Sequence, residues 1–136
     1  MKSKGFTLIE LLVVISIIGI LAATMISFYG MREDARDSRI INALGQAGNV
    51  ANTVGVMSGS YASACESATE FNNVEKLDLI GEDIIDAGGV LTCQANTDSY
   101  CFSSSLITDT NKHYCVTRTK SGYASSKCES MTCTFD

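Results

Sequence analysis

The chain has 136 residues, enough for one small domain, and carries 10 Lys plus Arg against 15 Asp plus Glu, a net charge of −5 at pH 7. This acidic balance argues against a nucleic-acid-binding protein that works through bulk electrostatics, because such domains usually carry a basic surface. The lack of proline excludes collagen-like and PxxP-containing chains. The two ends differ: no charged side chain occurs between Glu10 and Arg32, whereas residues 32–136 are polar and carry a net charge of −6.

The N-terminal segment has the composition of a membrane-spanning helix. Lys2 and Lys4 precede a mostly apolar run, residues 6–26. A helix of this length spans roughly 30 Å, the thickness of the hydrocarbon core of a bilayer. The two lysines favour a cytoplasmic N-terminus, so that the rest of the chain is exported. The run is too long for a cleaved secretory signal peptide, and a plain single-span anchor gives no reason for the acid Glu10 inside it.

A short motif at the start of this run explains the acid. Residues 5–10 read GFTLIE and follow a basic leader. They resemble the prepilin signature of type IV pilins and pseudopilins, in which a basic leader ends in Gly and is followed by Phe and, as the fifth residue after the junction, by Glu. The resemblance extends over residues 1–23. It implies that a prepilin peptidase cleaves between Gly5 and Phe6 and that the new amine of Phe6 is methylated.

Glu10 is the candidate assembly residue. Cleavage after Gly5 leaves a positive amine at Phe6, which in a filament can meet the Glu10 carboxylate of the same or a neighbouring chain. An unpaired buried charge costs about 3–5 kcal/mol, so Glu10 would select and align incoming subunits. Thr7 and Glu10 also have the spacing of a helix capping box, which is a purely local explanation. Gly19 is a candidate point of helix flexibility, or a site of small-residue packing.

The helix is predicted to continue beyond the membrane as an amphipathic half. After the mixed-charge residues 32–39, apolar side chains recur every three or four positions between Ile40 and Met57. This period indicates a helix laid across a sheet. The segment also resembles the amphipathic half-helix of pilins, and residues 58–60 end it. A short helix is predicted within residues 75–85.

The C-terminal part is predicted to form an antiparallel sheet. Segments 99–107 and 113–119 are rich in aromatic, β-branched and hydroxyl residues and flank a turn cluster, so they form a hairpin. A second turn at 120–122 leads to an edge strand from Tyr123. The fold class is therefore α+β, a long N-terminal helix packed on a small antiparallel sheet, which is also the fold that the pilin resemblance implies.

The expected organisation has three parts. They are a leader peptide (1–5), a transmembrane or filament-core helix (6–31) and an exported domain (32–136). The exported domain comprises the amphipathic half-helix (32–57), a connector (58–98) and the sheet with a C-terminal loop (99–136).

Six cysteines in so short a chain predict a disulfide framework formed in an oxidising compartment. Spacing alone leaves many connectivities open. The expected pairs are Cys101–Cys115 across the hairpin, Cys128–Cys133 in a small C-terminal loop, and Cys65–Cys93 between the connector and the sheet. A zinc site is disfavoured because the chain has no CxxC and only one His.

No catalytic constellation is recognisable, since the sequence has no GxSxG, P-loop or HExxH motif. We therefore expect no enzymatic activity and no cofactor. No metal site is expected either, because the acids Glu82, Asp83 and Asp86 suit the solvated face of a helix better than a calcium loop.

Three functions remain open from the sequence. The first is a structural subunit of a type IV pilus or related filament, located in the bacterial cytoplasmic membrane and then in a filament at the cell surface. Its implied partners are copies of itself, the prepilin peptidase, the inner-membrane assembly platform with its ATPase, and membrane lipid before assembly.

The second function is that of a minor pilin or pseudopilin acting in DNA uptake, adhesion or type II secretion. Nucleic acid is the less favoured ligand, and the locally basic residues are its candidate contacts: Lys112, His113, Arg118, Lys120 and Lys127. The third function is an unprocessed single-span membrane protein with a disulfide-rich ectodomain.

Overall fold

The computed structural model describes residues 5–136, without the side chains of residues 26–29. The chain divides after Glu33 into two compact units. A long helix, α1 (Leu8–Ser58), contributes residues to both units.

The first unit contains the N-terminal part of α1. Its large apolar side chains are exposed throughout the described segment, from 46% for Val14 to 81% for Leu8. An 18-residue window of α1 has a mean hydropathy of 2.7, so this helix is long and apolar enough to cross a membrane. A helix that is apolar on all sides suits lipid or other helices as its surroundings.

The second unit combines the C-terminal part of α1 with a small β-structure. In chain order the further elements are a 3-10 turn (Ala62–Ala64), β1 (Cys65–Ser67), β2 (Glu70–Phe71), α2 (Leu77–Asp86), β3 (Leu91–Ala95), β4 (Tyr100–Ser105), β5 (His113–Thr117) and β6 (Ser121–Ala124). Strands β1 and β2 form an antiparallel pair, and the other four form an antiparallel sheet in the order β3-β4-β5-β6.

The core of this unit lies between one face of α1 and the sheet. Tyr100 and Phe102 of β4 are buried with their rings stacked 4.7 Å apart. The hydroxyl of Tyr100 donates to the carbonyl of Gly48 on α1, at 3.1 Å. The sequence prediction of an α+β fold with a long helix on an antiparallel sheet is confirmed. Four α1 residues spaced by three or four positions have 0% exposure: Ile40, Leu44, Ala47 and Ala51.

Strand β3 was missed by the sequence analysis, which placed residues 91–95 in the connector. The strand pairs with β4 over its whole length. Its alternation of buried Leu91 and Cys93 with half-buried Thr92 and Gln94 is the period-two pattern of a strand. The hairpin of β4 and β5 is present as predicted, and β6 begins at Ser121, two residues before the expected edge strand.

The disulfides differ from the expected set in two of three pairs. Cys65–Cys93 is bonded as expected, with a Cα–Cα distance of 5.8 Å. The expected Cys101–Cys115 and Cys128–Cys133 are wrong, because the structure has Cys101–Cys128 and Cys115–Cys133. The cause is the register of the hairpin, in which Cys115 lies opposite Ser103 rather than Cys101. Both strand cysteines alternate with residues that face α1, and they therefore bond to the C-terminal segment on the other face of the sheet.

Candidate functional site

The first candidate site is the start of α1. Gly5 and Phe6 are both exposed, and 80% of the Phe6 surface is accessible. A Cβ built at Gly5 would meet no atom of the described chain within 4 Å. The peptide bond between these two residues is therefore exposed in the described part of the chain. Residues 1–4 of the expected leader lie outside the described residues.

Glu10 closes a capping box with Thr7. Its Oε2 accepts hydrogen bonds from the backbone N–H of Thr7 at 2.9 Å and from the Thr7 hydroxyl at 2.7 Å. The Thr7 Oγ1 in turn accepts from the backbone N–H of Glu10 at 3.3 Å. These bonds satisfy donors at the helix start that lack an intrahelical partner. Within residues 5–136, no cation forms an ion pair with this carboxylate.

Gly19 lies in the middle of the apolar part of α1. A Cβ at this position would meet no atom of the described chain within 4 Å. Packing inside the single chain thus gives no reason for a glycine here, and its role in helix flexibility stays a prediction.

A groove of about 700 Å³ in the second unit is a further candidate site, which the sequence analysis did not find. It lies between α1 and the turn that joins β5 to β6. The sheet side includes Tyr114 of β5 and the turn residues Arg118 and Lys120. The α1 side carries four exposed carboxamides: Asn42, Gln46, Asn49 and Asn52. Their spacing of three or four residues was visible in the sequence, but the strands that face them were not.

The locally basic residues of the sequence do not form one surface. Arg118 and Lys120 line the groove, whereas Lys112 lies at the other end of β5, about 20 Å from Arg118 along the strand. Lys127 is in the C-terminal segment and is not part of the groove, and His113 begins β5.

Both cations of the β5–β6 turn are held by aromatic rings. The Arg118 guanidinium lies 5.6 Å from the centroid of the Tyr61 ring, and its Nη1 donates to the carbonyl of Asp98 at 3.1 Å. The Lys120 ammonium lies 4.3 Å from the centroid of the Phe135 ring. The first contact holds the Arg118 side chain beside the groove, whereas the second directs the Lys120 ammonium towards the C-terminal segment, on the face of the sheet away from α1.

Asp37 is a buried polar residue that the sequence analysis did not single out. It is 7% exposed, and its carboxylate accepts hydrogen bonds from the backbone N–H groups of Ile107 and Thr108 and from the Thr108 hydroxyl. These bonds tie α1 to the loop that follows β4. In the sequence, Asp37 is one acid among several in a mixed-charge stretch, and nothing there distinguishes it from its exposed neighbours.

Of the acids proposed from the sequence to lie on a solvated helix face, Glu82 and Asp86 are exposed and Asp83 is half-exposed. Asp83 pairs with Arg39 of α1, with its Oδ1 2.9 Å from the Arg39 Nε, and the hydrogen bond and charge of Asp83 raise the pKa of Arg39 above its usual value. Because both side chains are well exposed, this ion pair contributes little to stability.

Three cysteine sulfurs lie close together without forming a metal site. The sulfur atoms of Cys101, Cys128 and Cys133 are all within 4.8 Å of one another. All three belong to disulfides. A disulfide sulfur is not a thiolate, which is the form that binds zinc.

Comparison with known proteins identifies the N-terminal segment. Residues 1–26 match the family model of the prokaryotic N-terminal methylation motif, and this range contains Gly5, Phe6, Glu10 and Gly19. No curated protein and no solved structure matches the chain. The accessible Gly5–Phe6 bond, the single acid at the head of an apolar helix and the helix-on-sheet fold agree with this match. The chain is therefore a pilin-like protein that carries the prepilin-type cleavage and methylation motif of type IV pilins and pseudopilins.

Proposed function

We propose that the protein is a structural subunit of a type IV pilus or a related filament, and that it polymerises through the N-terminal part of α1. One observation carries the proposal: the methylation motif stands at the head of a helix whose apolar side chains are uncovered in the single chain. Proteins with this motif are typically structural rather than catalytic.

The first step is processing. Prepilin peptidase cleaves the accessible bond between Gly5 and Phe6, and the Phe6 amine is then methylated. Until assembly, the apolar segment stays in the bacterial cytoplasmic membrane and residues 32–136 are exported. The three disulfides support this location, because such bonds persist in oxidising compartments.

The second step is the alignment of subunits. In an apolar filament core, the Glu10 carboxylate needs a cation, and none pairs with it in residues 5–136 of the single chain. Processing creates one at the amine of Phe6, four residues away. A subunit docked in the wrong register would leave this charge unpaired, at a cost of about 3–5 kcal/mol. Glu10 thus aligns each helix with its neighbours as the assembly platform and its ATPase add subunits.

The alternative of a minor subunit that contacts DNA has less support. A phosphate backbone needs a run of cations, but Arg118 and Lys120 lie at one end of β5 and Lys112 at the other. The net charge of −6 on residues 32–136 also repels a polyanion.

The test is the chemical identity of the mature N-terminus. We expect Edman sequencing and mass spectrometry of the membrane-extracted protein to give a chain that begins at Phe6 and carries one additional methyl group. The same chain should be found in sheared surface filaments. A mature chain that still begins at Met1 and is missing from filaments would contradict the proposal and favour an unprocessed single-span protein.

A further inference from the structure

Two of the three disulfides interleave along the chain. Cys101 bonds to Cys128 and Cys115 bonds to Cys133, so each bridge encloses one cysteine of the other. The bonded residues are 27 and 18 positions apart. Cys128 and Cys133 are only 5 positions apart, and Cys101 and Cys115 are also closer in the chain than either bonded pair. The native connectivity of these four cysteines therefore passes over the pairs that lie nearer in the chain.

Oxidation favours the nearer pairs among these four cysteines. Cys65 and Cys93 reach the oxidising compartment first and bond to each other, in the order that export of residues 32–136 sets under the proposed function. Among the four cysteines that follow, the entropic cost of joining two residues rises with the length of the loop between them. The first products are therefore Cys101–Cys115 and Cys128–Cys133.

The register of the finished sheet opposes the first of these products. In this register Cys115 lies opposite Ser103. Cys101 precedes Ser103 by two positions on the same strand, so the two cysteines are diagonal neighbours on one face of the sheet. Diagonal neighbours on adjacent strands are about 7–8 Å apart, which exceeds the range of roughly 4.4–6.8 Å usual for the Cα atoms of a disulfide. The sheet therefore reaches its register only after a Cys101–Cys115 bond has been broken.

The sulfur atoms that must exchange partners lie in one cluster. Cys133 Sγ lies 3.5 Å from Cys101 Sγ and 3.6 Å from Cys128 Sγ. Cys133 is half-buried, whereas Cys101, Cys115 and Cys128 are at most 1% exposed. A thiolate in solution therefore reaches the cluster most readily through Cys133, and neighbouring sulfurs can pass a bond between them without a large movement of the chain.

We propose that a thiol–disulfide isomerase is a partner of this chain and that it converts the first-formed pairs into the native ones. Before it acts, an oxidant that carries a disulfide takes two electrons and two protons from each pair of thiols. The isomerase supplies a nucleophilic thiolate, and it acts before the folded sheet buries Cys101 and Cys115. The interleaved bridges are the product of an exchange reaction rather than of oxidation alone.

The exchange is a closed cycle of thiolate attacks. The isomerase thiolate attacks Cys133, which breaks Cys128–Cys133 and frees the Cys128 thiolate. Cys128 attacks Cys101, which forms Cys101–Cys128 and frees the Cys115 thiolate. Cys115 then attacks Cys133 in the mixed disulfide, which forms Cys115–Cys133 and returns the isomerase thiolate. Each step breaks one S–S bond and forms another, so the cycle needs no net oxidant or reductant.

The experiment re-oxidises the full-length protein, reduced in denaturant and diluted into detergent micelles. Diamide, which oxidises thiols and leaves no free thiolate, is used alone or is removed and followed by substoichiometric reduced glutathione. Trypsin then gives peptide 128–136, with an internal bridge in the first products but linked to peptides 77–112 and 113–118 in the native protein. After diamide we expect the native fraction to be below about a third, the value for random pairing of four cysteines, and after glutathione we expect it to predominate.

A trapping variant of the isomerase tests the partner and the point of attack. An isomerase that lacks its second active-site cysteine retains the mixed disulfide, which we expect on Cys133 of the diamide-oxidised protein, located by fragment-ion mass spectrometry. The intact isomerase, in substoichiometric amount, should raise the native fraction faster than glutathione does. Cys65→Ser combined with Cys93→Ser removes the bridge that is not interleaved and should give the same results, which assigns the exchange to the other four cysteines.

Several outcomes would overturn the proposal. It is wrong if diamide alone gives mainly the native bridges, or if neither glutathione nor the isomerase changes the first products. A mixed disulfide on a cysteine other than Cys133 would contradict the stated point of attack, and an isomerase no faster than glutathione would contradict the protein partner. None of these measurements depends on filament formation, so a chain that is missing from filaments, which contradicts the proposed function, is a separate result.

Discussion

The Glu10 carboxylate combines a hydrogen-bonding function with a charge, and substitutions can separate the two. Glu10→Gln keeps an acceptor for the capping box with Thr7 but removes the charge. Thr7→Ala disrupts the capping box but keeps the charge. We expect filament yield, measured by shearing and immunoblotting of cells with equal subunit levels, to fall at least tenfold for Glu10→Gln and to stay within about twofold of wild type for Thr7→Ala.

The opposite pattern has a clear meaning. If Thr7→Ala assembles poorly and Glu10→Gln assembles normally, Glu10 serves only to begin the helix. Processing should be normal in both variants, so the mature N-terminus at Phe6 is the control that separates assembly from cleavage.

Asp37 should be the most sensitive acid of the described chain for stability. Asp37→Ala leaves the buried N–H groups of Ile107 and Thr108 without their acceptor, and we expect it to lower the free energy of unfolding by about 2–3 kcal/mol. Asp37→Asn retains one acceptor and should cost less. The matched control is Asp34→Ala, an exposed acid almost one turn earlier, which should change stability by no more than about 0.5 kcal/mol. If denaturant unfolding gave the same loss of unfolding free energy for Asp34→Ala and Asp37→Ala, this role of Asp37 would be refuted.

At the level of elements, the sequence predicted the helix and the hairpin, because these depend mainly on residues close together in the chain. The amphipathic period of α1 and the β-rich segments around residues 108–112 were sufficient for the helix and the hairpin. The register between β4 and β5 was not predictable, because it depends on the conformation of the loop that joins them and on the packing of both strands against α1. The error in the pairing of Cys101 and Cys115 follows directly, since a shift of two residues along one strand separates two side chains that a simple hairpin would place together.

Peptide mapping should distinguish the observed connectivity from the expected one. Trypsin cleaves after Lys76, Lys112, Arg118, Lys120 and Lys127, which places Cys93 and Cys101 in peptide 77–112, Cys115 in peptide 113–118, and Cys128 and Cys133 in peptide 128–136. With the observed pairs, the non-reduced peptide 128–136 stays linked to both strand peptides. With Cys128–Cys133 bonded instead, it would be released as a single peptide with an internal bridge. Mass spectrometry before and after reduction decides between these two outcomes.

At the scale of the whole molecule, the two candidate sites differ in how far the sequence reveals them. The processing motif is contiguous, so that a local sequence pattern is enough to find it. The groove combines the part of α1 around Gly45 with the β5–β6 turn around Lys120, which lie far apart in the chain and meet only through the fold. Its carboxamides were visible as polar positions of an amphipathic helix, but the sequence does not show which strand edge they face.

The stability of the second unit should depend on pH through Tyr100. Burial, and to a smaller extent the neighbouring Tyr61, raise the pKa of Tyr100 above its usual value of about 10. The folded state therefore favours the neutral phenol, so its contribution is fully present below pH 10 and is lost as the pH rises through the raised pKa.

Denaturant unfolding of the wild type and of Tyr100→Phe tests this dependence. The phenylalanine variant should be less stable at pH 7, because it lacks the hydrogen bond to the Gly48 carbonyl. The difference between the two proteins should be constant up to about pH 10 and should shrink as the pH rises above this value. A constant difference above this value would show that ionisation of Tyr100 is not coupled to folding.

The interleaved bridges Cys101–Cys128 and Cys115–Cys133 have a consequence for resistance to proteolysis. A single proteolytic nick between Cys101 and Cys133 leaves both fragments covalently joined, and Cys65–Cys93 gives the same protection further upstream. Between Cys65 and Cys133, only the stretch from Cys93 to Cys101 is not spanned by a disulfide, and there the Asn96 side chain tightens the turn by accepting from the N–H groups of Asp98 and Ser99. Cleavage elsewhere between Cys65 and Cys133 should therefore leave the fragments joined by disulfides. Within this stretch, cleavage should release a separate fragment only at this turn.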